Sequence, residues 1–520
     1  MQSIKGKRRK ITESRNGAEL REIKDKKVTV VGLARSGTGS ANLLSELGAH
    51  VTVTDLKTEG DLKEFVARLT PSVRLVLGSH PEDIFLRADL VIVSPGVPLN
   101  IQPLLHARSK GIPIMGELEL AYQIAMYGSD NPPVPSLIPR YPTLEKGGSG
   151  DLKSDGKGGF LAVTGTNGKS TTTALLDFMM KKGGFKTILG GNIGNALTEE
   201  ILKIVKGQKS AAGGQETYDC IVAEVSSFQL ESVQDFRPKV AAIINITPDH
   251  LDRYHSFEEY GYTKARMFEN QREGDFLVLN RDDPGTTKVG REKLSAQGGR
   301  PRIFSFSRRE EVEGLYFKGG IIYCNLPESS LPHGPFPLIG AEEIKIKGVH
   351  NLENAMAASA MALLAGCPSE AVIHSLKEFP GLEHRLEFVR ELEGVSYFND
   401  SKGTNVGAVM KSLESFSGPV ILIAGGRDKA GDFSQLKDLV REKVKTLTLI
   451  GEASIKIRKA LGDLTDTVMA KDLREAVEVA RSKAAKGDVV LLSPACASFD
   501  MFRDFEDRGK KFKKIVRELE

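Results

Sequence analysis

Only four cysteines occur among 520 residues, Cys220, Cys324, Cys367 and Cys496, and no two of them have CxxC spacing. That argues against a disulfide framework and a cysteine zinc site, and leaves reduced structural thiols as the expectation. Long apolar runs are missing too. None approaches the roughly 20 residues that a bilayer span needs, and the charged N-terminus offers no apolar stretch for a signal peptide. A cytoplasmic protein with no membrane span is expected. Nor does one sign of charge dominate: Lys and Arg number 72 against 68 Asp and Glu. Ten of those cations, with four acids, fall in residues 1–27, so the remainder is close to neutral and has no nucleic-acid footprint. The KGKRRK run from Lys5 to Lys10 reads as part of a solvated basic tail over residues 1–25.

What the chain does have is apolar content, 40% of its residues, and length for about three ordinary cores at roughly 150 residues each. Apolar β-rich runs alternate with helical stretches, beginning with KVTVVGL (27–33), a helical 37–47 and HVTVT (50–54). Such alternation predicts parallel sheets flanked by helices. It restarts twice. A Pro-, Gly- and Ser-rich stretch over 128–158 separates a first block (26–127) from a second (159–379) and reads as a flexible insertion without function of its own. The third block (380–520) has strands at GPVILIAGG and DVVLLSPA and a final helix from about Phe499.

The sharpest motif is AVTGTNGKSTTT, an apolar strand entering a glycine-containing loop, then Lys169 and Ser170, then a helix. It resembles a phosphate-binding loop, although Val163 stands where the general pattern has its first glycine. Backbone N–H groups and the helix N-terminus would hold phosphate oxygens, Lys169 would reach the β and γ phosphates, and Ser170 would ligate Mg²⁺. Two further clusters follow apolar strands, where open α/β sheets present ligands. Glu224 ends DCIVAE and reads either as a strand-end cap or as a Mg²⁺ holder. Asp249 and His250 follow VAAIINITP, with His250 open to metal ligation, general-base work or a structural role. Lys264, in YTKARMFEN, lies on a predicted helix and by itself reads as a surface lysine. In the first block, GLARSGTGS with Asp55 imitates a dinucleotide fingerprint, but Ala34 replaces its second glycine, so a nucleotide-sugar fits as well as NAD.

Eight segments in order, GTNGKST (165–171), GGNIG (190–194), EVSSFQLE (224–231), TPDHLDRY (247–254), HNLEN (350–354), GLEHR (381–385), NDSKGTN (399–405) and SPACASFDMFRDFEDRG (493–509), resemble the Mur ligases. The resemblance spans about residues 26–520 apart from the insertion. It implies an α/β protein of three domains: a Rossmann-like N-terminal domain (26–127), a central P-loop ATPase-like domain (159–379) and a Rossmann-like C-terminal domain (380–520). The last two segments imply ATP-dependent joining of D-glutamate to UDP-N-acetylmuramoyl-L-alanine through an acyl phosphate, in cytoplasmic peptidoglycan precursor synthesis. A sister ligase adding a different amino acid is the alternative, though the DNPR-type signature of a diaminopimelate or lysine ligase is absent. A monomer is expected.

By resemblance, Gly165, Thr166, Asn167, Gly168, Lys169, Ser170 and Thr171 take the ATP phosphates, and Asn351, Asn354, Arg385 and Asp400 take the adenine and ribose. Ser170 and Glu224 serve a first Mg²⁺, and His250 with Lys264 a second, Lys264 being carbamylated. The UDP-substrate falls to Arg35, Ser36, Asp55, Ser94, Pro95, Gly96 and Asn192, with Lys57 where some members have arginine. D-glutamate falls to Lys402, Thr404, Lys429, Ser498 and Phe499, with Phe505 nearby. Ser498 and Phe505 read equally as a helix-start cap and as core packing.

Overall fold

The computed structural model describes residues 22–130, 133–134, 136–137, 159–210, 217–250, 253–296, 301–327, 334–416, 418–428 and 431–520. Their larger strands form three sheets. The first runs Arg74–Leu77, His50–Asp55, Lys27–Val31, Leu90–Val93, Ile114–Gly116, every neighbouring pair parallel. Its central strands are nearly continuous Val, Ile and Leu because helices cover both faces, as in Leu90–Val93, which is buried throughout. Chain travel reverses between Lys27–Val31 and Leu90–Val93, which opens a crevice beyond their carboxyl ends.

Nine strands make the second sheet, in the order Phe336–Gly340, Ile321–Asn325, Gly314–Lys318, Arg302–Ser307, Phe276–Asn280, Val240–Ile243, Gly159–Thr164, Cys220–Glu224, Thr187–Gly191. Gly159–Thr164 pairs in parallel with both Val240–Ile243 and Cys220–Glu224. The three motifs that follow these strands therefore emerge side by side on one edge. The third sheet runs Glu387–Leu392, Val395–Asn399, Val489–Leu492, Val420–Gly425, Val444–Ile450, Asp466–Met469. One apolar core runs without a break from the first sheet to the second, and helix Leu197–Ser210 packs there against helices Arg35–Glu46 and Glu117–Tyr127. All four cysteines are buried and none forms a disulfide. Among the described residues no helix is long and apolar enough to cross a membrane.

Three expectations need correction. The second and third sheets are not wholly parallel: Gly314–Lys318, Ile321–Asn325 and Phe336–Gly340 pair antiparallel, as do Glu387–Leu392 and Val395–Asn399. The cause is local. Gly319–Gly320 and Glu393–Gly394 have positive φ at both positions, the geometry of a two-residue hairpin turn. The final helix is Phe505–Glu518 and does not begin near Phe499; its cap is Asp504, which accepts from the Asp507 N–H at 2.7 Å, so Ser498 caps no helix. The insertion is not free along its length. Ser129–Asp130 pairs with Pro133–Val134, and buried Leu137 donates to the Ala125 carbonyl at 2.8 Å and accepts from the Tyr218 N–H at 3.0 Å. Residues 138–158 and the tail over 1–21 lie outside the described residues.

Candidate active site

Strand Gly159–Thr164 delivers the loop Gly165–Gly168 to helix Lys169–Lys182. Gly168 has φ +83° and lies so close to Asn354 that a Cβ there would stand 2.3 Å from its Oδ1, which is why only glycine fits the turn. From the neighbouring strand end, Asn245 braces the loop: its Oδ1 accepts from the N–H groups of Thr166 (3.1 Å) and Asn167 (2.8 Å), and its Nδ2 donates to the Asn167 carbonyl at 3.0 Å. The sequence reading did not single out Asn245, yet it follows an apolar strand just as Glu224 does. Lys169 is curled over the loop, its ammonium donating to the carbonyls of Gly165 (3.0 Å) and Thr166 (2.8 Å). Ser170 is buried at the first turn of the helix.

Glu224 is buried at the end of its strand, where Oε1 accepts from Asn192 Nδ2 at 2.6 Å and Oε2 has no partner. A desolvated carboxylate oxygen without a donor is costly, and a bound cation would satisfy it. Together with the Ser170 hydroxyl, this hard-oxygen donor set fits Mg²⁺. Lys264 is not the surface lysine of its bland reading. It is 1% exposed, donates to the Gly165 carbonyl at 2.8 Å and lies 4.6 Å from the Tyr260 ring centre. Burial, with Lys169 nearby, holds its pKa well below the usual lysine value against the pull of Asp249 and Glu224. His250 is in the left-handed region at φ +53°, its side chain partly exposed, with its ring centre 4.8 Å from that of Phe228. It stands outside the main cleft, which its neighbour Asp249 lines.

That cleft, about 510 Å³, gathers residues of all three domains. Thr166 to Ser170, Glu224 and Asn354 come from the second, Arg35 from the first, and Arg385, Asp400, Lys402, Thr404 and Phe505 from the third. Lys402 reaches across to the phosphate loop, its Nζ donating to Ser170 Oγ at 3.3 Å. Its pKa is pushed down to about 8 by burial and by Arg385. Lys169 is lowered too, by burial first and then by Arg385 against Glu224 and Asp249. Cations crowded into a desolvated cleft repel one another, and a polyphosphate would relieve them.

Asp400 is buried and accepts from Ser412 Oγ (2.7 Å), Ser493 Oγ (2.6 Å) and the Leu386 N–H (3.3 Å), so it ties the third sheet to the start of that domain. Asn351 donates to the Lys347 carbonyl at 2.8 Å, and Asn354 accepts from Thr172 Oγ1 at 3.2 Å. His350, Asp282 and Arg308 also line the cleft without having been singled out. Only His350 had a signal, as the head of HNLEN. Ser498 is buried away from the cleft, Phe499 is 63% exposed, and Lys429 lies outside the described residues. Glu383, His384 and Glu387 form another group with metal-ligand spacing, but the Lys513 ammonium already occupies it, donating to both carboxylates, at 2.8 Å to Glu387.

A second cleft of about 580 Å³ opens at the crevice of the first sheet and shares Arg35 and Asn192 with the main one. Ser36, Asp55, Lys57 and the Ser94–Pro95–Gly96 turn line it. Asp55 accepts from the Leu33 N–H at 2.6 Å and the Lys57 N–H at 2.9 Å, while Ser94 Oγ donates to the Gly32 carbonyl at 2.8 Å. Arg35 spans the domains, donating to the Gly194 carbonyl at 2.7 Å.

Family models match all three parts of the chain: the Mur ligase MurD-like N-terminal domain at residues 26–116, the Mur ligase middle domain at 163–362, and the Mur ligase glutamate ligase domain at 384–496. The chain belongs to the Mur ligase family. The UDP-N-acetylmuramoylalanine--D-glutamate ligase of Citrifermentans bemidjiense is 45% identical to this Mur ligase over 95% of the chain and 98% of that protein. The enzyme of the same name from Geotalea daltonii is 45% identical over 96% and 98%. Among solved structures, a pseudomurein peptide ligase type C from Methanothermus fervidus aligns with a TM-score of 0.54 at 18% identity, covering 95% of this chain and 100% of that one, a likeness of fold.

Proposed function

We propose that this Mur ligase joins D-glutamate to UDP-N-acetylmuramoyl-L-alanine at the expense of ATP, in cytoplasmic peptidoglycan precursor synthesis, acting as a monomer. The observation that carries this reading in the structure is the meeting of Lys402, from the third domain, with Ser170 of the phosphate loop at 3.3 Å in one cleft. The names of its relatives supply the substrates.

In this reading the alanyl carboxylate attacks the γ phosphorus of ATP, the bond to the β-phosphate oxygen breaks, and ADP leaves an acyl phosphate. The amine of D-glutamate then attacks the carbonyl carbon. The tetrahedral intermediate expels inorganic phosphate and the amine loses a proton, leaving an amide. Both steps concentrate negative charge, so preorganised cations and donors do most of the stabilising. Lys169 and the N–H groups of residues 165–171 hold the transferring phosphoryl group, while Arg385, Asn351, Asn354 and Asp400 serve the nucleoside side. Mg²⁺, held by Ser170 and Glu224, supplies charge neutralisation when bound.

Lys264 is assigned as a carbamate and, with His250, as the holder of a second ion. Its buried amine, whose pKa is lowered, attacks the carbon of CO₂ in its free-base form and releases a proton, which converts a cationic side chain into a carboxylate-like oxygen donor. Arg35, Ser36, Asp55, Ser94, Pro95, Gly96 and Asn192 take the UDP-substrate in the second cleft. Lys402, Thr404, Lys429, Ser498, Phe499 and Phe505 are assigned to D-glutamate. Phosphate release measured with UDP-N-acetylmuramoyl-L-alanine and D-glutamate, L-alanine, lysine or diaminopimelate tests the assignment. Release with D-glutamate alone supports it, and equal release with another amino acid overturns it.

A further inference from the structure

We propose that Glu117 is a positioning residue for the nucleotide-sugar cleft, bracing from the first domain the loop that ends in helix Leu197–Ser210. The inference rests on the reading of that cleft given above. Glu117 opens helix Glu117–Tyr127 directly after the last strand of the first sheet and is 1% exposed. Its Oε1 accepts both the N–H and the hydroxyl of Thr198, each at 2.9 Å. Thr198 is the second residue of helix Leu197–Ser210, which Ala196 precedes with no side chain able to cap it. The carboxylate therefore caps that helix from another domain, at the end where the backbone dipoles favour an anion. Gly39 hems in the same hydroxyl, since a Cβ there would stand 2.7 Å from it. Burial pushes the Glu117 pKa up, against the donors of Thr198, Gln229 and Leu197.

Glu117 hydrogen-bonds the first of the two loops at this wall; its Oε2 has no hydrogen-bond partner among the described residues, and its helix packs against the second loop's helix Ser227–Leu230. One carries Gly191, Asn192 and Ala196 and ends in the capped helix; the other carries Ser226, Phe228 and Gln229, locked by the capping box between Ser226 and Gln229. All six residues line the cleft. Glu119 provides the internal comparison. It lies on the same helix, equally buried, and accepts from the N–H groups of Gln234 (2.8 Å) and Phe236 (3.1 Å), neither of which lines the cleft.

Calorimetric titration of the full chain with UDP-N-acetylmuramoyl-L-alanine, without ATP or metal, is the test. Glu117→Ala is expected to weaken binding about tenfold or more, on the scale found when an outer partner that orients a metal ligand is removed. Glu117→Gln keeps an acceptor for Thr198 and recovers most of that loss. Glu119→Ala lowers the melting temperature and binds as the parent does. Wild-type affinity in folded Glu117→Ala, or an equal loss in Glu119→Ala, overturns the proposal. Should Glu117→Ala not fold, Thr198→Val deletes one of the two bonds and must still weaken binding severalfold; unchanged affinity there overturns it as well. Failure of the wild-type chain to bind the compound would instead bring down the reading of the cleft itself, and this inference with it.

Discussion

Gly168→Ala adds a single methyl group where the phosphate loop touches Asn354, and the structure contains its own control. Gly168 and Gly184 have nearly the same backbone, φ +83° and +85°, but a Cβ at Gly168 would meet Asn354 Oδ1 at 2.3 Å while one at Gly184 meets nothing within 4 Å. An L-residue in the left-handed region costs about 1–2 kcal/mol at either position. At Gly168 the methyl must also displace Asn354, breaking its bonds with Thr172 and Asn351, both at 3.2 Å. At about 1 kcal/mol for each bond, Gly168→Ala should lose roughly 2 kcal/mol more than Gly184→Ala. For a domain of this size that is a further fall of about 4–8 °C in melting temperature. Asn354→Ala made in the Gly168→Ala background removes the obstruction, so the two changes should be less than additive. The assay is thermal unfolding of the four variants, with the KM for ATP measured alongside and expected to rise in Gly168→Ala but not in Gly184→Ala. Equal losses at Gly168 and Gly184, or strict additivity with Asn354→Ala, would refute the steric argument.

Lys264→Ala should fold and lose turnover by orders of magnitude, with Lys264→Arg no better and acetate partly restoring the alanine variant; full activity without additive would remove Lys264 from the mechanism. Deleting residues 139–156 should leave activity and melting temperature unchanged, whereas Leu137→Ala, which empties a buried site, should cost about 2–4 kcal/mol in urea unfolding. If the deletion abolishes activity in a folded protein, the insertion works on the reaction. For His350, burial, then Arg385 and Lys411, push the pKa from its ordinary 6.5 to about 4, so the native state favours the neutral ring. Its contribution is complete above pH 6.5 and is lost as pH falls toward about 4; His350→Gln should flatten that acid limb of the melting curve, and an unchanged limb would contradict the assignment.

How much of this was legible in the sequence depended on how local each signal was. GTNGKS sits between an apolar strand and a helix within a dozen residues, and Glu224 and Asp249 each follow an apolar run, so the strand-end rule placed all three on one edge. Lys264 shows the opposite case. Nothing beside it in YTKARMFEN marks it as buried, because its partner, the Gly165 carbonyl, lies 99 residues away in the chain. Ser498 and Asp504 are equally good cap types; the Ser498 carbonyl accepts the N–H groups of Met501 and Phe502 in a single turn that does not continue, and the helix begins at Phe505. The FKGGII hairpin did carry a readable signal, two glycines between apolar runs, but the surrounding alternation of strands and helices favoured a parallel reading. Glu117 and Glu119 were hidden for another reason: acids in the first turn of a helix usually face solvent, and here a second domain covers them.

The most direct test of the account follows oxygen. UDP-N-acetylmuramoyl-L-alanine labelled with ¹⁸O in both oxygens of its alanyl carboxylate is converted with ATP and D-glutamate, and the released phosphate is examined by mass spectrometry. An acyl phosphate places one carboxylate oxygen between carbon and phosphorus, and amine attack at carbon leaves that oxygen on phosphorus, so each phosphate should carry one ¹⁸O. Unlabelled phosphate formed together with the amide product would contradict the acyl-phosphate route.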